Sequence, residues 1–332
     1  MAKTSKKHHG VEKESEQQES ATKRSARLRH RAAWMYYAEE MTQNAIADAL
    51  GIGRVTVVRL LAEARALNEV KISLRRELEA LTELEAALER RFGLDRAIVA
   101  PVSSQQADPS QAIGAATGGL ISELVKPDMM FGVGWGRTLL RSLAFIDEGD
   151  VPGLTVVSLL GGISAVRQYN PAEFAWRFSR LFHSDCYLIA APALVDCKET
   201  KQALIERCGI GPVLELAHKL DAVLLSVGSM SAGSTARLFD VFTEEDRKSL
   251  ISAGAVGDLL FNFFDKDGKL VNHSINERVM SVPVQQLQIV PLRILTSGGV
   301  DKSAALIGGL RLLKPHIFIT DELSAQKILD ET

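Results

Sequence analysis

The stretch LRILTSGGVDKSAALIGGLRLLKPHIFITDE, residues 292–322, decides the architecture of the larger part of the chain. Its two ends, LRILT and IFIT, are apolar runs of strand length, and between them the apolar residues of DKSAALIGGLRLL recur at helical spacing. Strand, glycine turn, helix and strand make one crossover unit, and strands apolar along their whole length belong to a parallel sheet covered on both faces. The alternation extends upstream. RAIVAP (96–101), MMFGVGW (129–135), LTVVSLL (154–160), CYLIAAP (186–192) and DAVLLSVGS (221–229) read as further strands. PSQAIGAATGGLISELV (109–125) and PAEFAWRFSRLF (171–182) read as the helices between them. Residues 93–332 are therefore expected to form a doubly wound α/β domain. One segment departs from the pattern: in LLFNFFDKDGKLV (259–271), Asp267-Gly268 suits a tight turn between two antiparallel strands.

Upstream of this domain the composition changes. Residues 1–25 are mostly Lys, Glu, Gln and Ser, too poor in apolar side chains to offset the entropy of folding, and are expected to be a disordered charged arm. Residues 26–73 are helical in pattern, with Ala33, Tyr37, Ile46, Leu50, Val57, Leu60 and Leu61 available for a small core. Leu74, Leu78, Leu81, Leu84, Leu88 and Phe92 recur every three or four residues, so residues 74–92 read as a connecting helix with one apolar face, packed on its own domain or on another subunit.

Charge follows the same division. The net charge is −2, yet residues 1–76 hold 15 Lys+Arg against 9 Asp+Glu and the remainder 24 against 32. A basic N-terminal part on an acidic body points to a polyanionic partner. No run approaches the roughly 18 apolar residues that span a bilayer, and the first 30 residues lack an apolar signal core, so a cytoplasmic protein without membrane contact is expected. Three cysteines without a CxxC pair suggest neither a disulfide framework nor a zinc site, and are expected to be buried structural thiols.

TQNAIADALGIGRVTVVRLLAEAR, residues 42–65, has the spacing of a helix-turn-helix. Thr42 caps the first helix, Ala47 lets the helices approach, Gly51 permits a left-handed turn, and Val57 with Leu60 packs the second helix, which begins near Arg54. Arg54, Thr56 and Arg59 should then face outward. Arginine can hold guanine through O6 and N7, and threonine can touch a phosphate or a thymine methyl. Gln43, at the first helix's N-terminus, suits a phosphate, as does Thr42 beside it.

Three glycine turns follow strands in the large domain: Gly132–Thr138, Gly228–Ser231, and Gly298-Gly299 followed by Asp301-Lys302-Ser303. Glycines at such strand ends allow close backbone approach, and helix N-termini there favour anions. Gly134, Gly136 and Thr138 can offer N–H groups or a hydroxyl to a phosphate, and Lys302 a positive charge. Asp258 could accept hydrogen bonds from ligand hydroxyls if it faces the same cleft; a helix cap or a surface charge are alternatives. Phe261, Phe263 and Phe264 read as core. The third glycine of a GxGxxG fingerprint is absent, which argues against NAD, and no cofactor is expected.

The segments AAWMYYAEEMTQNAIADALGIGRVTVVRLLAEAR, FGVGWGRTL, APALV, GAVGDLLFNFFDKDG and TSGGVDKSAALIGGLRLLKPHIFITDE together resemble the SorC family of sugar-binding transcription regulators, over nearly the whole chain after Arg27. The resemblance implies a DNA-binding helix-turn-helix and an effector and oligomerisation domain similar to ribose-5-phosphate isomerase and glucosamine-6-phosphate deaminase, with tetramers common. It also implies a phosphorylated sugar or polyol near Gly134, Gly136, Arg137, Thr138, Asp258 and Lys302. The long charged arm and Trp135 depart from the family pattern. The expected partners are double-stranded operator DNA, that effector, and further copies of the chain in a dimer or tetramer. Two other functions compete: a sugar-phosphate isomerase or deaminase carrying a DNA-binding domain, and an architectural DNA protein. Against the enzyme, no His or Glu stands out in the glycine loops as a general base.

Overall fold

In the computed structural model, residues 25–67, 69–70, 79–104, 108–163, 170–231 and 243–332 are described. The charged arm, up to residue 24, lies outside them, as do Leu74 and Leu78 of the expected connecting helix. The chain divides into two units, residues 1–75 and 76–332.

In the first unit, α1 (residues 25–37), α2 (Gln43–Leu50) and α3 (Arg54–Ala66) enclose a core of Ala32, Ala33, Met35, Ile46, Ala47, Val57, Leu60, Leu61 and Ala64. Tyr37 and Leu50 pack at its margin. Thr42 Oγ1 accepts from the Ala45 N–H at 3.2 Å, satisfying a donor that the helix leaves unpaired. Gly51 ends α2 in the left-handed conformation, φ 63°. A bidentate ion pair between Arg29 and Glu69 ties α1 to the segment after α3.

The second unit opens with α4 (Glu79–Phe92), whose Leu81 and Leu88 are buried in that unit's core. There follow β1 (Arg96–Ala100), α5 (Ser110–Leu124), β2 (Met130–Val133), α6 (Arg137–Ser142), β3 (Thr155–Ser158), α7 (Pro171–Leu181) and β4 (Asp185–Tyr187). The chain continues through α8 (Lys198–Arg207), α9 (Gly211–Glu215), β5 (Ala222–Leu225), β6 (Val227–Ser229), α10 (Glu244–Ser252), β7 (Gly257–Leu259) and β8 (Asn262–Phe264). It closes with α11 (Ser274–Arg278), α12 (Val284–Leu287), β9 (Leu292–Thr296), α13 (Ser303–Leu313), β10 (Ile317–Asp321) and α14 (Glu322–Asp330).

Seven strands form one sheet in the order β1-β10-β9-β5-β2-β3-β4, every pair parallel. Alternate side chains of each strand enter opposite cores. Val99, Val157, Val223, Leu295 and Phe318 lie in one, and Ile98, Val156, Leu224, Ile294 and Ile319 in the other, as in a sheet covered on both faces. From β2 the chain winds through β3 to β4 on one side, whereas from β5 it winds through β9 to β10 on the other. The junction of β2 and β5 is thus a switch point, and in open α/β sheets ligands bind in the crevice outside the strands' carboxyl ends at such a point.

The edge strand β1 is sealed by α4. Glu85 and Glu89, one helical turn apart, accept the outer N–H groups of Val99 (2.8 Å) and Ala97 (2.9 Å). Glu89→Ala is expected to lower stability by about 1–2 kcal/mol, because a sequestered amide loses its acceptor. Urea unfolding with an unchanged midpoint would show the contact to be idle.

Two expectations need correction. Gly228 and Ser229 do not form a strand-to-helix turn; they lie in β6, within a second, antiparallel sheet of order β6-β7-β8. The cysteines are not buried: Cys186 and Cys197 are partly exposed and Cys208 is exposed, because the short edge strand β4 and the polar helix α8 leave them at the surface. The antiparallel interruption is present, but its tightest turn is Leu260-Phe261, between β7 and β8. The chain reverses again at Asp267-Gly268, where Phe264 bridges Leu270. Among the described residues no helix is long and apolar enough to cross a membrane.

Candidate functional site

The crevice at the switch point is built from four separate segments. After β2, the loop Gly134-Trp135-Gly136 runs along the end of β5: the Gly134 N–H donates to the Leu224 carbonyl at 2.8 Å. Gly136 (φ 135°) heads α6, and Gly299 (φ 114°) heads the single helical turn Val300–Lys302. Only glycine adopts such angles without strain, so the backbone course of both loops depends on these two glycines. Arg137 and the buried Thr138 stand in the first turn of α6, and Lys302 ends the turn after Gly299.

Charges meet above these loops. Arg137 lies 3.9 Å from Asp108, which precedes α5, in a loose pair with both side chains about half exposed. Burial pushes the Asp108 carboxyl upward, but donation from the Ser110 N–H and hydroxyl, with Arg137 and Arg141 nearby, outweighs it and holds the group below its ordinary value. The Lys302 ammonium titrates below the usual lysine range, chiefly through burial and then through Arg137, against the pull of Asp301, Asp258 and Asp108. Asp258 on β7 is 4 % exposed, and burial raises its pKa to about 6 despite a 2.9 Å hydrogen bond from the Phe261 N–H and the attraction of Lys302. It is neither a helix cap nor a surface charge.

Gly134, Gly136, Arg137, Thr138 and Lys302 thus gather at the ends of β2 and β9, and Asp258 is held within electrostatic reach of Lys302. Two features escaped the sequence. Asp321, at the end of β10, accepts from the Gly299 N–H (3.1 Å), the Ser324 N–H (2.9 Å) and the Ser324 hydroxyl (2.6 Å), so a buried carboxylate anchors the loop that carries Lys302. Its signal, Asp three residues before Ser at a strand-to-helix junction, reads only as a cap. The second is the turn Leu260-Phe261. Both residues are buried and left-handed (φ 53° and 61°), and Phe261 packs against Trp135 with ring centroids 5.1 Å apart. The glycine loop therefore rests on the tip of the β7–β8 hairpin. Among the described residues no three His, Cys, Asp or Glu side chains cluster as metal ligands.

In the first unit, Thr42, Gln43 and Arg54 line one open hollow of about 550 Å³, with Tyr36, Glu40, Met41 and Asn44. Arg54 and Arg59 are exposed on α3, and Arg59 pairs with Glu63 one turn on at 2.6 Å. Thr56 is only half outward. The unit has the three helices, the capped first helix and the left-handed turn of a helix-turn-helix.

The chain is similar to known proteins over most of its length. Residues 76–330 match the family model described as "Putative sugar-binding domain". The chain is 29% identical over 303 residues to the deoxyribonucleoside regulator of Bacillus subtilis, covering 90% of this chain and 96% of the relative. It is 25% identical to the erythritol catabolism regulatory protein EryD of Brucella abortus, over 91% and 96% of the two chains. Among solved structures, the full-length sorbitol operon regulator SorC of Klebsiella pneumoniae shares the fold, with a TM-score of 0.69 and 24% identity over 91% of this chain and 98% of that one. The chain belongs to the SorC family of sugar-binding transcriptional regulators.

Proposed function

We propose that this protein is a cytoplasmic transcriptional regulator of carbohydrate or polyol catabolism, and not an enzyme. Its helix-turn-helix binds operator DNA, and a phosphorylated sugar or polyol bound at the β2–β5 crevice controls that binding. One observation carries the effector's chemistry: two cations, Arg137 and Lys302, stand close enough for Arg137 to hold the Lys302 ammonium below its ordinary range, beside a sunken carboxyl, Asp258. A ligand with an anionic end satisfies the cations, aided by N–H groups of the Gly134–Thr138 loop, while its hydroxyls donate to Asp258. Two recognition helices on two half-sites require a homo-oligomer, a dimer or a tetramer. Coupling of about 1–3 kcal/mol between effector and DNA shifts operator affinity roughly 5–150-fold, which suffices for a switch.

The test is fluorescence anisotropy of labelled DNA from upstream of the protein's own coding region, titrated at fixed salt with and without pooled sugar and polyol phosphates. Specific binding altered by one pool supports the reading; binding that no pool alters removes its mechanism. Arg54→Ala or Arg59→Ala is expected to weaken specific binding by about 1–3 kcal/mol with the fold intact, and unchanged affinity in both would take them off the DNA.

A sugar-phosphate isomerase or deaminase has one observation in its favour, since a buried carboxyl with a pKa near neutrality is what a general base needs. Turnover of ribose or hexosamine phosphates would establish it. The regulator is favoured because the helix-turn-helix unit and relatives named as regulators along 90% of the chain have no place in an isomerase.

A further inference from the structure

Helix α3 has a second apolar face. Val57, Leu60, Leu61 and Ala64 fill the core, yet Val55 is 83 % exposed, Val58 is 45 % exposed, and Ala62 is exposed too. The positions 55, 58 and 62 are spaced i, i+3 and i+7, so these side chains form one stripe on the side of the helix opposite the core. Val55 sits near the middle of that outward face, flanked by Arg54 and Arg59. Branched side chains also lower helix propensity at solvent-facing positions, so the stripe has no rationale in the isolated unit.

We infer that Val55 and Val58 read thymine C5-methyl groups in the major groove. This rests on the reading of the first unit as a DNA-binding helix-turn-helix. Three considerations favour DNA over an apolar protein partner. The stripe begins in the first turn of the second helix, the part that reaches base edges in such motifs. It is flanked by exposed arginines, in a segment where 15 Lys+Arg stand against 9 Asp+Glu. Of the four bases only thymine presents a methyl group in that groove, and a valine against it removes water from both surfaces. Thr56, whose side chain could also touch a thymine methyl, is only partly exposed, and Val55 takes that role. The operator half-site therefore contains thymines beside the guanines contacted by Arg54 and Arg59.

The test replaces each operator thymine in turn by deoxyuridine, which keeps every hydrogen-bonding group and lacks only the methyl, and measures binding of the full chain by anisotropy. For the wild-type protein, one or two positions per half-site are expected to cost about 3–5-fold in affinity, the scale of one buried methyl. Against Val55→Ala or Val58→Ala the same substitution should cost nothing further, so that protein and DNA changes are non-additive. Both variants remove exposed atoms from a helix and should melt as the wild type does; circular dichroism checks this. A specific complex indifferent to every deoxyuridine, or losses that add fully to those of the variants, overturns the inference alone. If no specific DNA complex forms, the helix-turn-helix reading falls and takes this inference with it.

Discussion

Asp258→Asn is expected to raise the melting temperature of the protein at pH 8 and leave it nearly unchanged at pH 4. The Asp258 carboxyl has an ordinary pKa of 3.8 and a folded value of about 6, so the folded state favours its protonated form. The associated stability is fully present below the unfolded value and is lost as pH rises through the folded one, between about pH 4 and pH 6. Above that window the ionised, buried carboxylate costs the fold about 3 kcal/mol, from roughly two pKa units at 1.36 kcal/mol each. Asparagine has the shape of the neutral acid, can still accept from the Phe261 N–H, and does not ionise. For a unit of this size the gain corresponds to a shift on the order of 5 °C. The same change should weaken the effector, because the carboxylate is the acceptor proposed for its hydroxyls. Thermal unfolding from pH 4 to pH 8 checks the claim. A difference between variant and wild type that is independent of pH would mean that ionisation of Asp258 is not what costs stability.

Lys302→Met is expected to lower effector affinity by about 2–4 kcal/mol, roughly 30- to 1000-fold, while operator affinity without effector is retained. Methionine keeps most of the apolar stem and loses the charge. The effect is large because Lys302 is partly buried beside Arg137, where an anion is poorly screened by water and answers two cations together. The variant should also raise the Asp258 pKa, since Lys302 holds it down, so Lys302→Met and Asp258→Asn will not be additive. Titration calorimetry with the effector found by the pooled screen measures the loss. Wild-type affinity in Lys302→Met would place the anionic group elsewhere.

What could be read from the sequence has a common physical basis. The parallel strands are apolar on both faces, so their periodicity survives without any knowledge of neighbours, and residues 292–322 fold as strand, helix and strand as their pattern indicates. The caps of the helix-turn-helix are local too: Thr42 and Gly51 act within four residues of themselves. The glycines at 136 and 299 mark the two loops because left-handed or extended positive angles exclude other residues. What escaped was non-local or contrary to local preference. Leucine and phenylalanine seldom adopt left-handed angles, so the turn at Leu260-Phe261 could not be found from propensity; it exists because Trp135 and the core bury both side chains. Asp321 looks like a helix cap, and its hold on Gly299 appears only when β9 and β10 are side by side. The outward valines of α3 are invisible to a pattern that scores only what is buried.

The proposed effector crevice draws on segments distant in sequence, from Asp108 through Arg137 and Asp258 to Lys302, with the loop of Lys302 anchored by Asp321. Among the described residues, the core of the first unit's three helices is built from positions up to Val70. On a ribosome the two units are therefore completed at very different times, the helix-turn-helix early and the proposed effector site only when the last strand of the sheet has emerged. A chain interrupted before Asp321 carries a finished recognition unit and an unfinished sensor, so responsiveness is the last property the growing polypeptide acquires and the first that truncation removes.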